Sequence, residues 1–202
     1  MLTVEQIRHR LATVKIDVQV TDHRSPTAVA LILRAGPGGP EVFFIQRAAD
    51  ERDPWSGNIG FPGGRFQEGD KDLRGAAVRE TMEEVGIDLE SAAEPLGRLS
   101  DIVGAHLPVR VACFVYHLHE APGIALNPEV SDAFWVPLAA LADPGNHEQA
   151  EVRFDGKTLV TPAIRLPLRD KPVLWGITYR LICQFMAIVR LRSFICDEGS
   201  KL

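Results

Sequence analysis

The run TAVALILRAGPGGPEVFFIQR, residues 27–47, restricts the fold more than any other stretch of this chain. An apolar, β-prone segment covers residues 28–33, a glycine and proline turn covers 36–40, and a second apolar segment covers 42–46. That order is the signature of an antiparallel hairpin. Both arms are apolar enough to be core strands, so the rest of the chain has to supply layers that cover them.

Helical and strand signals then alternate along the sequence. Thr3 followed by Gln6 predicts a capping box that opens a short helix to about Leu11 or Val14. Residues 48–60 are polar and broken by Pro54 and Gly57, and they predict a loop leading into Phe61, Pro62, Gly63 and Gly64. A helix is expected from Leu73 to Val85, stopped by Gly86. Strands follow over 94–103 and 109–118, an exposed connection over 117–131, a strand over 132–138 and a helical turn over 138–141. Residues 151–164 predict a second hairpin with Asp155 and Gly156 at its turn, and a helix over about 174–191 closes the chain. The fold class is α/β: a sandwich with a mixed β-sheet between helices. One domain is expected over 1–202, with 1–26 as an N-terminal helical extension and 172–202 as a C-terminal helix and tail.

Composition narrows the function. A chain of 202 residues with 46% hydrophobic content fills one globular core. A net charge of −5 and a pI near 5.7 give no general attraction to a polyanion, so neither nucleic acid nor a membrane surface is an expected partner. A small anionic substrate stays open, because a bound cation can reverse the sign of a site. Cys113, Cys183 and Cys196 are odd in number and lack a CxxC spacing, which fits a reducing cytoplasm and no disulfide framework. Residues 1–14 carry charges through their centre, so no secretory leader is expected. Residues 173–195 are interrupted by Arg180, Gln184, Arg190 and Arg192, so no spanning helix is expected either.

The helix over 73–85 holds the chemistry. On a 3.6-residue wheel Val78, Met82 and Val85 form a core-facing stripe, and Glu80, Glu83 and Glu84 share another surface. Like charges at these spacings oppose the helix by roughly 0.2 to 0.5 kcal/mol per pair. A solvated acidic face is the simplest account of such a run. Position argues against it: extended backwards, the stripe passes through Ala77, Ala76 and Leu73, small or apolar residues over which another segment can lie closely. The acids then face a covered cleft and need a counter-charge, and carboxylate oxygens select Mg²⁺ or a similar divalent ion. Pro62, Gly63 and Gly64 form a tight turn whose backbone approaches a metal or a phosphate without a Cβ in the way.

These residues resemble the Nudix box. RETMEEVGI, residues 79–87, matches its second half with Thr81 in an aliphatic slot, while 14 residues separate Gly64 from Arg79 where the strict pattern has 13. The front acidic position then falls on Asp70 or Lys71, depending on the direction of counting. This insertion and the FPGG lead-in are similar to the coenzyme A pyrophosphatase subgroup, which also has an upstream arginine signature. Arg47, Ala48 and Arg52 match that signature, with four residues instead of three before Gly57.

The resemblance implies Mg²⁺-dependent hydrolysis of a nucleoside diphosphate linked to another group, with Mn²⁺ as an alternative ion. In the subgroup the substrate is coenzyme A or a derivative, cleaved to adenosine 3',5'-bisphosphate and 4'-phosphopantetheine. It further implies that Glu80, Glu83, Glu84 and the Gly64 carbonyl hold metal and that Arg79 orients a glutamate. Glu84 or Glu80 takes a proton from the attacking water, with Glu129 as a further candidate. Arg47, Arg52 and Arg65 are candidates for phosphate contacts, and Trp55 either stacks on a base or packs its loop. ADP-ribose, a dinucleotide polyphosphate or a nucleoside triphosphate are alternative substrates, and a Nudix fold that binds without turnover is an alternative of another class. A homodimer is compatible with the apolar terminal helices. His117 and His119 share one strand face without a third ligand nearby, and residues 36–39 lack the Lys and Ser/Thr of a P-loop, so neither is taken as a site.

Overall fold

The computed structural model describes residues 2–18, 25–50, 53, 55–104, 108–120 and 122–191. Helix α1 (Val4–Thr13) opens on the expected capping box, with Gln6 N–H donating to the Thr3 hydroxyl and Thr3 N–H donating to Gln6 Oε1. The first hairpin pairs β1 (Ser25–Gly36) with β2 (Gly39–Arg47), Leu33 opposite Val42. Two short strands that the polar and glycine-rich loop concealed come next, β3 (Ile59–Gly60) and β4 (Gly63–Arg65). Helix α2 (Leu73–Val85) is capped by the Asp72 carboxylate, which accepts from Gly75 N–H, and ends on Gly86 in the left-handed region at φ 72°.

The chain continues through α3 (Leu89–Ala92), β5 (Ala93–Arg98), β6 (Ile102–Val103), β7 (Val109–Leu118), β8 (Val130–Pro137) and α4 (Leu138–Ala142). A 3-10 turn at Pro144–Asn146 leads into the second hairpin, β9 (His147–Phe154) and β10 (Lys157–Ile164), and β11 (Leu174–Trp175) precedes α5 (Gly176–Ile188). β9 starts four residues before the expected 151, because its polar early residues pair with β10 all the way to His147 opposite Ile164. The closing helix starts at Gly176, not 174, since Leu174 and Trp175 are spent on β10. Its tail beyond Leu191 lies outside the described residues, as does Cys196.

The main sheet runs β3-β2-β1-β7-β5, with β4 added on β1, β6 on β7 and β8 on β2. It is mixed: β1 and β7 are parallel from Ser25 opposite Val109 to Leu33 opposite His117, and the other pairs are antiparallel. β7 fills one edge of β1, so β2 and β4 share the other; β2 pairs from Leu33 onward and β4 pairs at Thr27 to Val29. Alternate residues of β1 feed two cores. Leu31 and Leu33 join Ile7, Leu11, Phe44 and Phe185 under α1 and α5, whereas Ala30 and Ile32 join Phe43, Val85, Ile87 and Tyr116 under α2 and α3. Helices thus cover both faces of the sheet, as the sequence predicts.

Of the expected core stripe of α2, Val85 is buried and Val78 packs on the core, but Met82 does not. Met82 stands 52% exposed, and the side of α2 that meets the sheet consists of Ala76, Ala77, Thr81, Glu84 and Val85. Thr81 satisfies its buried hydroxyl by donating to the Ala77 carbonyl at 2.7 Å, so it occupies the core where an aliphatic residue would serve. No helix among the described residues is long and apolar enough to cross a membrane.

Candidate active site

The place where β2 leaves the edge of β1 and β4 replaces it lies directly under α2. Ala28 of β1 packs on Ala76 and Ala77, and these small side chains let the helix sit close to the sheet. The last turns of α2 then bring Glu80 and Glu84 onto β4. Gly63 N–H donates to Glu84 Oε2 at 2.8 Å. Gly63 has φ 149°, and a Cβ there would stand 2.2 Å from the Ala28 carbonyl oxygen, so only glycine permits this approach. At Gly64 a Cβ would fall 2.4 Å from the Glu80 carboxylate. The bare Gly63–Gly64 backbone is therefore the floor on which both carboxylates rest.

Glu84 is 2% exposed, and burial pushes its carboxyl up to about 7 against the pull of Gly63 N–H and of Arg47. The Arg47 guanidinium reaches it only at 3.8 Å. Burial also raises Glu80, opposed by its hydrogen bond from Arg79 Nη1 at 2.9 Å, and the negative charges of Glu80, Glu84 and Glu129 act on one another. Glu83 is different: it is 53% exposed and accepts from Arg79 Nη1 at 3.1 Å. Sequence reasoning grouped three equal acids, but the structure brings two onto the glycine floor and leaves the third on the outside.

Arg79 links the two sides. Its Nε and Nη2 form a fork on Asp70 at 2.8 and 3.0 Å, and Nη2 also donates to the Arg65 carbonyl at 3.2 Å. Asp70 holds Arg79 charged, and Arg79 in turn depresses the Asp70 carboxyl. Counting forward from the glycines therefore finds the acidic partner of the helix arginine, and counting back to Lys71 does not. Arg65 contributes its carbonyl to this network, while its side chain is not among the groups gathered at Glu84.

The loop after β2 supplies the opposite wall. Arg47 Nε donates to Asp53 Oδ2 at 2.6 Å, and Asp53 Oδ1 accepts from Trp55 N–H at 3.0 Å, which fixes the guanidinium beside Glu84. Asp53 was missed at the sequence level; its signal is an acid following Arg47 within the same loop. Arg52 lies outside the described residues. Trp55 packs against Phe154 and Trp175 at ring-centroid distances of 4.7 and 5.9 Å. Glu129 is tied in by its backbone, accepting from Ala48 N–H at 2.8 Å and donating to Asn127 Oδ1 at 2.9 Å. Its carboxylate has no hydrogen-bond partner among the described residues.

A divalent cation is consistent with this donor set. Glu80 and Glu84 are desolvated carboxylates facing backbone that carries no side chain, and the shortfall of positive charge around Glu84 is what a bound cation would correct. Among the described residues no group of three or more His, Cys, Asp or Glu side chains is placed to hold a metal ion. Two carboxylates leave the rest of a divalent ion's shell to water and substrate oxygens.

The paired glutamates, the glycine floor and the arginine beside them all lie within one domain-length match to a known family. The model of the NUDIX domain matches residues 24–155, and this chain belongs to that family of pyrophosphohydrolases, which act on nucleoside diphosphate compounds and generally use divalent ions. An uncharacterised protein of Schizosaccharomyces pombe is 39% identical over 112 residues, which are 52% of this chain and 34% of that protein. The matched part is thus about a third of the yeast protein's length. The uncharacterised Nudix hydrolase NudL of Yersinia pestis is 25% identical over 165 residues, 80% of this chain and 77% of NudL. Among solved structures, the NUDIX domain of Shewanella oneidensis NrtR, complexed with ADP ribose, is 20% identical with a TM-score of 0.54, covering 91% of this chain and 97% of that one. That likeness is one of fold.

Proposed function

We propose that this chain is a Mg²⁺-dependent diphosphatase, with Mn²⁺ able to substitute, that cleaves coenzyme A or a derivative into adenosine 3',5'-bisphosphate and 4'-phosphopantetheine. The observation that carries the diphosphate chemistry is the juxtaposition of Glu84, desolvated on Gly63 N–H, with the Asp53-braced guanidinium of Arg47 at 3.8 Å. A diphosphate bound there meets a cation site on one side and a fixed guanidinium on the other. The coenzyme A half of the proposal is supported by the Arg47, Ala48 and Arg52 signature and by the extra residue before the box.

Glu80 and Glu84 would hold the ion, joined by Glu83 from the outer side and by the Gly64 carbonyl. When bound, Mg²⁺ neutralises charge building on the phosphate and makes the attacking water more acidic. Arg47 orients the diphosphate, and Arg52 and Arg65 are further candidates for the same contact. Water attacks phosphorus, the bond to the bridging oxygen breaks, and a carboxylate takes the proton. Glu129 is solvated, unpaired among the described residues and anchored next to Arg47, which suits it to that task alongside Glu80 and Glu84. Arg79, locked by Asp70, positions Glu80 and Glu83.

A second reading is hydrolysis of ADP-ribose, since the same metal-assisted attack on a diphosphate serves either substrate. Mass-spectrometric product analysis separates the two. Wild type and Glu84→Gln are incubated with coenzyme A, ADP-ribose and a diadenosine polyphosphate, with and without Mg²⁺. Metal-dependent cleavage of coenzyme A that is lost in the variant is the expected result. Cleavage of ADP-ribose alone would replace the substrate, and ligand binding without any product would replace the enzyme by a binding module.

A further inference from the structure

Two cavities lie at opposite ends of β1. The larger, about 220 Å³, is lined by Arg34, Glu41 and His117 at the hairpin end, remote from the glycine floor. The smaller, about 140 Å³, opens at Arg47 and Gly63, the two groups that touch Glu84. A phosphate held at Arg47 and Glu84 therefore has the smaller cavity beside it, open to one of its substituents.

Its walls are apolar. Trp55, Phe61, Trp175, Ile177 and Leu181 line it, and the indole N–H of Trp175 is already used, donating to Asn58 Oδ1 at 3.0 Å. Among the described residues no charged side chain beyond Arg47 at the mouth lines it; the polar side chains inside are Asn58 and Thr178. A ribose or a base buried here would leave several donors and acceptors unmatched, each a penalty that discriminates strongly. A volume of 140 Å³ is close to that which holds one benzene ring. The cavity thus suits a short, branched, uncharged segment directly joined to a phosphate.

Resting on the proposed diphosphatase reading, we infer that this cavity is the specificity pocket for the non-nucleotide arm of the substrate and excludes a sugar or base from that side. In coenzyme A the phosphate on that side is followed by a methylene and then a carbon bearing two methyl groups, with a hydroxyl and an amide further on. The dimethyl carbon fills the apolar part, and the hydroxyl and amide fall within the compass of Asn58 and Thr178. The nucleotide half consequently lies outside the cavity, on the other side of Arg47.

Gly60 offers the test. It lines the cavity, and a Cβ on it would meet nothing nearer than Thr178 Oγ1 at 3.9 Å, so an added methyl is accommodated without a backbone clash. Gly60→Ala and Gly60→Val fill the space in steps from one wall, and Thr178→Leu fills it from the other. Steady-state kinetics on coenzyme A are combined with calorimetric binding of 4'-phosphopantetheine and of adenosine 3',5'-bisphosphate in Mg²⁺, and thermal melts show which variants are folded. The expected result is a graded rise in KM for coenzyme A, about 10-fold or more for the larger side chains. Affinity for 4'-phosphopantetheine falls in parallel, and the nucleotide product binds as before. Normal wild-type turnover with an unchanged KM in the folded variants, or loss of the nucleotide product's affinity instead, overturns the pocket assignment alone. No turnover of coenzyme A by wild type overturns the functional reading beneath it.

Discussion

Glu83 and Glu84 are neighbours in the sequence and occupy opposite environments. Inward, Glu84 lies on a glycine floor, stripped of water, with its nearest guanidinium 3.8 Å away, and Glu80 lies beside it, half-buried and paired to Arg79 at 2.9 Å. Outward, Glu83 and Met82 face solvent, with Glu83 paired to Arg79 and Arg79 forked on Asp70. The lesson is that a run of like residues on a helix divides by depth. Under the proposed function the inner acids face the ligand, and Arg79, which pairs with both Glu80 and Glu83, braces them from outside.

This division is open to direct tests. Under the proposed function, Glu84→Gln lowers Mg²⁺-dependent turnover by about 10³-fold, and Glu83→Gln by nearer 10-fold; equal losses in steady-state rates would erase the distinction. Gly63→Ala forces a side chain into the Ala28 carbonyl at a φ that suits glycine, and about 3 kcal/mol of stability is expected to go in urea titrations. Burial keeps Glu84 neutral to about pH 7 in the folded state, so metal-free protein loses stability as pH rises from the unfolded carboxyl value of 4.5 through 7. Glu84→Gln removes that slope, making the variant more stable at pH 8 by at most about 3 kcal/mol and no different near pH 4, as read by melts in chelator.

The outer brace gives smaller numbers. Asp70→Asn breaks the fork on Arg79 and costs about 2 kcal/mol at neutral pH. Because the Asp70 carboxyl is depressed when folded, its contribution is present above the unfolded value of 3.8 and fades as pH falls through the folded one, so wild type and variant converge in acid. Met82→Lys shifts stability by no more than about 0.5 kcal/mol, whereas the helical wheel, which places Met82 in the core, demands a severe loss.

Much of this was written in short-range chemistry. The Thr3 and Gln6 box, the glycine turn between the first two strands and the Gly86 stop are local signals, and the elements they bound are found in place. Sequence also marked the acidic stripe and the glycines before it. It did not show the depth of each acid, because Met82 reads as apolar and Thr81 as polar, while the hydroxyl of Thr81 is satisfied inside its own helix. β3 and β4 were hidden because strands of two and three residues, mostly glycine, carry no periodicity. The cavity was hidden too, since Trp55 and Trp175 meet only through tertiary packing.

The parallel pairing of β1 with β7 joins residues about 80 positions apart, with α2 strung between them. Closing so long a loop before any contact repays it is a slow step in folding. Glu84 and the Gly63 N–H it rests on are only 21 residues apart, and α2 packs on Ala28 of β1, so the floor beneath the carboxylate is built from near-neighbour contacts. The acid end of the molecule therefore does not wait for the slow closure of β1 on β7.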